Sequence, residues 1–327
     1  MAQNPAGLKI NLLYQWPRSA VSRLWTITKI FVKEGLLHWH WDFLKHRQSV
    51  GGGITLPQSI VREFKRRQIS FEENDFSSGS TYDICLVLRD VAALRWALNE
   101  KKNNRILKLV AGPLIVNFPD ESDRIVESQS IDCFLLPSEW IKTLFERLQS
   151  RPMPISVWPL GVDTKFWSPE LNSIETQTIL IYDKNPDADV RKCVLETLEF
   201  RHVAYEVIKA GQFTQSEFRD ALRRARGIIF LSRSETQGIA MFEAWSCGVP
   251  SLHWNPRVLK LLGRSYDGVS SCPYLTPDCG LDFKGTSDFE NQLEVFLNSS
   301  FQPRLYVEKN FTIDASVDRL LTLAGYV

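Results

Sequence analysis

The spacing of short apolar runs constrains this chain more than any other feature. Residues 8–14, 82–88, 106–109, 131–136 and 155–158 form one series of such runs. After a polar stretch, residues 178–182, 203–208, 227–231 and 249–253 form a second. Each run is near-continuously apolar rather than alternating, the pattern of strands covered on both faces. Amphipathic helical patterns lie between several of them. Residues 141–148 are one, with Ser138 as the expected cap. Residues 216–226 are another, with Phe218, Ala221, Leu222 and Ala225 on one face. Residues 287–298 open on an expected capping box, Ser287 with Glu290, and turn Phe289, Leu293 and Phe296 inward. Strand–helix alternation in two series predicts an α/β chain with two parallel sheets. The length of 327 residues suits two domains at about 150 residues each. The boundary is expected within 162–176, where Pro169, Asn172 and Ser173 follow Gly161 between the two series. Two such domains hold a ligand between them, outside the carboxyl ends of their strands.

Composition excludes several classes. Apolar residues make up 44% and charged residues 24%, so the chain is neither disordered nor a small disulfide scaffold. The six cysteines, Cys85, Cys133, Cys193, Cys247, Cys272 and Cys279, contain no Cys-x-x-Cys pair. Buried thiols in a reducing cytoplasm are expected, with Cys272 and Cys279 inert in a surface loop. The first residues show no secretory signal, and no run reaches the ~20 apolar residues of a membrane span. The net charge of +1 conceals an asymmetry: residues 1–70 carry eleven Lys/Arg and three Asp/Glu. Together with the amphipathic pattern of 19–35, this predicts peripheral contact with an anionic membrane, at its inner face, set against a helix packed on its own domain. No groove-reading helix or aromatic–basic sheet motif is recognisable, so nucleic acid is not an expected partner. His38 and His40 lack a convincing third ligand, and no metal is expected.

One segment carries chemistry. Ser234-Glu235-Thr236-Gln237-Gly238-Ile239-Ala240-Met241-Phe242-Glu243-Ala244-Trp245-Ser246-Cys247-Gly248-Val249-Pro250 follows the apolar run 227–231. It reads as a turn around Gly238, then a helix over 239–247. The free N–H groups of the first helical turn are then aimed at the cleft, where they suit an anion or sugar hydroxyls. Eight residues along a straight helix do not align Glu235 with Glu243; a bend at Gly238 brings both to one ligand.

At these residues the chain resembles the retaining GT-B glycosyltransferases of family 4, whose shared signature is this Glu-x7-Glu element. Leu135-Leu136-Pro137-Ser138-Glu139-Trp140 is similar to the family's strand-then-Ser element, and Val157 to Phe166 to its domain crossover, with Leu160 in place of Asn. The resemblance covers roughly residues 130–325; before residue 80 it rests on Gly51-Gly52-Gly53 alone. It implies two Rossmann-like parallel-sheet domains facing across a cleft. Residues 1–165 form the acceptor side, 166–313 the nucleotide-sugar side, and 314–327 a C-terminal helix crossing back to the first domain. It further implies a retaining hexosyltransferase that takes a nucleotide-sugar as donor substrate and no cofactor. Glu235 then stands by the transferred sugar. Glu243 binds the ribose, Thr236, Gln237, Gly238 and Ile239 contact sugar and pyrophosphate, and Gly51, Gly52 and Gly53 are acceptor-side candidates. The leaving phosphate assists deprotonation of the acceptor, an unidentified sugar, lipid-linked or protein hydroxyl. Where the family carries Gly-Arg and a following Lys on its pyrophosphate, this chain has Lys184 and then Asp189, with Arg191 and Lys192 further on. That departure keeps two other readings open, a non-catalytic nucleotide-sugar-binding protein and a sugar epimerase on the same fold.

Overall fold

The computed structural model describes residues 7–16, 52–169, 178–261 and 263–326. The first sheet contains β1 (Ile10–Leu13), β2 (Phe71–Glu73), β3 (Tyr82–Arg89), β4 (Ile106–Leu114), β5 (Cys133–Leu136) and β6 (Ile155–Val157). Its spatial order is β2-β1-β3-β4-β5-β6, every pairing parallel. The intervening helices α1 (Gly52–Arg66), α2 (Val91–Lys102) and α3 (Glu139–Leu148) cover its faces. The second sheet contains β7 (Thr178–Asp183), β8 (Tyr205–Lys209), β9 (Ala225–Leu231), β10 (Ser251–Trp254) and, beyond a hairpin, β13 (Gly280–Phe283). Its order is β13-β10-β9-β7-β8, again wholly parallel. Helices α4 (Ala188–Phe200), α5 (Gln215–Arg223), α6 (Ile239–Ser246) and α7 (Thr286–Asn298) flank it. Both sheets are doubly wound, and the strand order of each reverses once: between β1 and β3, and between β7 and β9. Successive crossovers leave opposite faces at such a point, so a crevice opens at the carboxyl ends of the two strands.

Several local expectations are corrected. Ser138 stands at the N-cap of α3 without bonding its amides; its hydroxyl is used elsewhere, as described below. Helix α7 starts at Thr286, and Asp288 rather than Glu290 folds back, accepting from the amides of Gly285 (2.9 Å) and Lys284 (2.9 Å). Glu290 instead accepts from Arg201 (3.0 Å). Helix α5 is capped by Thr214 with Glu217 and ends at Arg223, so Ala225 opens β9. Cys272 and Cys279 are buried, not in a surface loop, and burial pushes their thiols up to about 12 and about 11. Gly52 and Gly53 begin α1. Gly51, and the segments 19–35 and 36–47, lie outside the described residues.

Two features join the halves. The chain leaves the first sheet through 158–162 and meets the returning chain at Thr312, where Val162 and Thr312 form a parallel bridge. Gly161 is required there, because a Cβ would lie 2.1 Å from the Thr312 carbonyl oxygen. Beyond it, α8 (Pro303–Asn310) packs on α6, and α9 (Ile313–Ala324) packs on the first sheet. Val317, Leu320, Leu321 and Ala324 join Leu56, Ile60, Phe64 and Trp158 in one core. The Trp158 indole N–H donates to the Ser316 carbonyl (2.8 Å). Glu63 of α1 pairs with Arg66, the last residue of that helix, and with Arg67 just beyond it, and these two arginines pair in turn with Asp314 and Asp318 of α9. Burial opposes the Glu63 charge, but hydrogen bonds from Arg66 and Arg67 outweigh it and hold the carboxyl down at about 2.

The second joint is a two-stranded antiparallel hairpin, β11 (Val258–Leu261) and β12 (Arg264–Asp267), between β10 and β13. It reaches across to the first unit. Tyr266 stacks on Phe118 with centroids 5.3 Å apart, Arg264 pairs with Asp120, and Tyr266 and Val269 share a small core with Leu144 of α3.

Candidate donor site

The crevice of the second sheet opens between the ends of β7 and β9, and the singled-out segment begins there. Strand β9 ends at Leu231, and Ser232 to Gly238 curve into α6. The turn is made by Gly238 at φ 82°, ψ 56°, a left-handed conformation. A Cβ on it would lie 2.2 Å from the Met241 methyl carbon. Helix α6 is apolar nearly all round and buries Met241, Phe242, Ala244 and Trp245. It is thereby fixed as a rigid post whose first two amides, those of Ile239 and Ala240, come too early for an intrahelical acceptor, while the Met241 amide donates to the Gly238 carbonyl (3.0 Å).

Two elements bring the charged groups together. Lys184 directly follows β7, and its ammonium donates to Glu235 Oε1 at 2.7 Å. The Ser232 hydroxyl donates to the same oxygen at 2.6 Å. A carboxylate has a second oxygen to offer, so Glu235 is oriented without being saturated. Its side chain is 17% exposed and that of Lys184 45%, which places the pair at the mouth of the crevice. Glu243 lies one turn into α6. It is partly exposed but has protein on most sides, and burial pushes its carboxyl up to about 8. Tyr182, the penultimate residue of β7, sits close to both glutamates. Burial first, and then the charges of Glu235 and Glu243, raise its phenol above its usual range.

The loop 235–237 is also stitched to the first unit and the linker. Ser138 Oγ donates to the Thr236 carbonyl (2.5 Å), and Trp140 Nε1 donates to the Glu235 carbonyl (2.9 Å). The Gln237 side chain is buried and turned away from the crevice. Its amide donates to the Leu160 carbonyl (2.6 Å) and accepts from the Leu160 N–H (3.0 Å). Tyr274 donates to the Pro137 carbonyl (2.6 Å), and Ile239 packs against the cores of both units. The predicted residues Lys184, Glu235, Thr236, Gln237, Gly238, Ile239 and Glu243 are therefore gathered at one crevice, with Gln237 as a strut of the loop. Ser232, Tyr182, Ser138 and Trp140 were not singled out as site residues from the sequence. Ser138 and Trp140 had been assigned to the start of a helix, and nothing local marks their second role.

Of the other basic candidates, Lys192 is exposed and faces Glu196 along its own helix. Arg191 donates to the buried Asp183 at 2.7 Å. The crevice rim thus alternates in charge. Among the described residues no group of three or more His, Cys, Asp or Glu could hold a metal ion, and no helix is long and apolar enough to cross a membrane.

No protein-family model matches the chain, and no curated protein matches its sequence. Solved structures do. The apo form of the lipopolysaccharide outer core galactosyltransferase WaaB superposes with a TM-score of 0.60 at 12% identity, over 97% of this chain and 99% of that one. Alr3699/HepE from Anabaena, solved in complex with UDP, gives 0.58 at 10% identity over 98% and 100%. TarM gives 0.56 at 9% identity over 81% of this chain and 57% of its own. At such identities the likeness establishes the architecture, and the architecture is the GT-B fold.

Proposed function

We propose that the chain is a glycosyltransferase that moves a hexose from a nucleotide-sugar to an acceptor hydroxyl with retention of anomeric configuration. The convergence of Glu235, Lys184 and Glu243 at the point where the second sheet reverses its strand order carries this reading. Residues 1–165 hold the acceptor, with Gly51, Gly52 and Gly53 on that side. Residues 166–313 hold the donor, and 314–327 return to the first unit. In support, one structural neighbour is named a galactosyltransferase and another was solved with UDP.

The roles follow from charge. In transfer, the bond from the anomeric carbon to the diphosphate oxygen breaks and a bond to the acceptor oxygen forms. The acceptor proton passes to the departing diphosphate. Negative charge grows on that diphosphate, where Lys184 and the first amides of α6 stabilise it, with backbone contacts from Thr236 to Ile239. Positive charge grows at the anomeric carbon, where Glu235 stands. Glu243 accepts the two ribose hydroxyls, a pair of donors that suits the two oxygens of a carboxylate. Neither a metal nor another cofactor takes part in this scheme.

One observation favours a second reading. Lys184 is engaged by Glu235, and Asp189 stands where a second cation is expected, as a protein that binds a nucleotide-sugar without turning it over could tolerate. A panel of UDP-, GDP- and ADP-sugars, each offered with a mixed sugar and lipid-linked acceptor pool, separates the two. Nucleoside diphosphate released only when acceptor is present supports the transferase. Tight binding with no release supports the binder. Interconversion of the sugar epimers with no release points to an epimerase.

A further inference from the structure

The crevice holds a second ion pair that the motif does not include. Arg233, two residues after the end of β9, pairs with Asp187, which lies between β7 and α4. Lys184 with Glu235 and Arg233 with Asp187 therefore form two rungs between the same two loops. We propose that Arg233 is a diphosphate-binding residue of the donor site, that Asp187 holds its place when no donor is bound, and that the donor's diphosphate displaces Asp187 from it. This rests on the donor-site reading above and supplies the second cation that Asp189 does not.

Three observations carry the proposal. First, position: Arg233 and Lys184 follow the two strands that define the crevice, and Arg233 is two residues from Glu235, so both cations rim one opening. Second, accessibility: the Arg233 and Asp187 side chains are 48% and 45% exposed, so water and an incoming anion reach the pair. Exchange then costs little, because an ion pair open to water contributes little to stability. The guanidinium also lies over the Trp254 ring, 5.7 Å from its centroid, which keeps it at the crevice when Asp187 departs. Third, Asp187 has somewhere to go. It occupies the N-cap position of α4 yet makes no side-chain bond to the helix amides. Aspartate is among the strongest capping residues, and turning to those amides satisfies donors that are otherwise left to water. The other basic side chains do not compete for the role: Arg191 is committed to the buried Asp183, and Lys192 faces Glu196. A guanidinium presents paired N–H groups to phosphate oxygens, which the Lys184 ammonium does not.

The test uses the intact chain and isothermal calorimetry with UDP, GDP and ADP, and with uridine, guanosine and adenosine. For the diphosphate that binds wild type, Arg233→Gln weakens affinity about tenfold or more, while the matching nucleoside changes by less than about twofold. Asp187→Asn does the opposite. It removes the competing charge and keeps a capping side chain, so diphosphate binds at least about threefold tighter. A merely structural ion pair predicts the same sign for both variants, since each breaks it. Equal weakening by both, or no effect of Arg233→Gln, overturns the proposal even where the donor-site reading stands. A wild type that binds none of the three diphosphates overturns that reading, and this proposal with it.

Discussion

At the scale of single residues, the glutamates divide by what their surroundings do to charge. Glu235 is held by Lys184 and Ser232 at the crevice mouth. In the proposed scheme its loss removes a group that acts where charge develops, so Glu235→Ala is expected to lower kcat by about 10²-fold in steady-state assays. In the proposed scheme Glu243 meets the ribose, a part of the donor that does not react, so Glu243→Ala is expected chiefly to raise donor KM. Wild-type kcat/KM in both variants would end the transferase assignment. Glu243 adds a pH signature. Burial holds its carboxyl at about 8, so in the free protein it is largely protonated at neutral pH. Accepting two ribose hydroxyls favours the carboxylate. Donor binding therefore releases a proton below pH 8, and affinity rises with pH up to about that value. Calorimetry in buffers of different ionisation enthalpy reads that proton directly; a buffer-independent enthalpy would contradict it. His253 is a structural counterpart. Buried beside Phe230, it bonds through Nε2 to Ser251 (2.7 Å) while Nδ1 has no partner, and burial pushes its pKa down to about 3. The unfolded chain takes up a proton below its ordinary value of about 6.5 while the folded chain does not, so this histidine costs stability as pH falls. His253→Phe removes the titration. Relative to wild type it gains about 1.4 kcal/mol per pH unit between pH 6.5 and about 3 in denaturant unfolding, and a pH-independent difference would refute this.

At the scale of elements, legibility followed burial. Strands β3, β4, β7 and β9 run through the middle of their sheets, are apolar on both faces, and appear in the sequence as runs of Val, Ile and Leu. Strands β2 (Phe71-Glu-Glu) and β13 (Gly-Leu-Asp-Phe) escaped notice because they are short edges with polar residues. The hairpin of β11 and β12 escaped because Lys260, Arg264 and Asp267 break its apolar pattern. The crossover at 157–166 was legible in the sequence, but the contact between its two backbones was not. Gly161 lets two backbones pass, and Gly161→Ala forces its Cβ against the Thr312 carbonyl. The expected cost is about 1–3 kcal/mol, read as a lower denaturant midpoint. An unchanged midpoint would mean that the two strands of the linker do not pass in contact.

At the scale of the whole molecule, the first unit is completed by the last helix. Residues 313–324 supply Val317, Leu320 and Leu321 to a core that also holds Ile10 and Leu12. Charge is distributed on the same scale. Of the basic residues within 1–70, Arg66 and Arg67 are spent on Asp314 and Asp318, and Lys65 faces Glu73. In the sequence the other eight Lys/Arg of that stretch outnumber Glu34 and Asp42. Co-sedimentation with vesicles containing phosphatidylserine is expected at low salt and is lost as salt rises; pure phosphatidylcholine vesicles leave the chain in the supernatant. Equal behaviour with both vesicles would assign that charge to solvated surface.

What depends on neighbours along the chain was legible in the order of residues. Two series of buried strands, a turn at Gly238, and Glu235 and Glu243 on either side of it follow from apolar period and local backbone preference. What depends on separate segments meeting emerged with the folded chain. Lys184 reaches Glu235 across 51 positions, Ser138 leaves its own helix to bind the Thr236 carbonyl, and Arg233 finds Asp187. Each of these side chains had an acceptable local use, as cap, solvated charge or helix start. Local energies of about 1 kcal/mol do not choose between such uses. The reversal of strand order between β7 and β9 chooses, because it sets their two loops face to face.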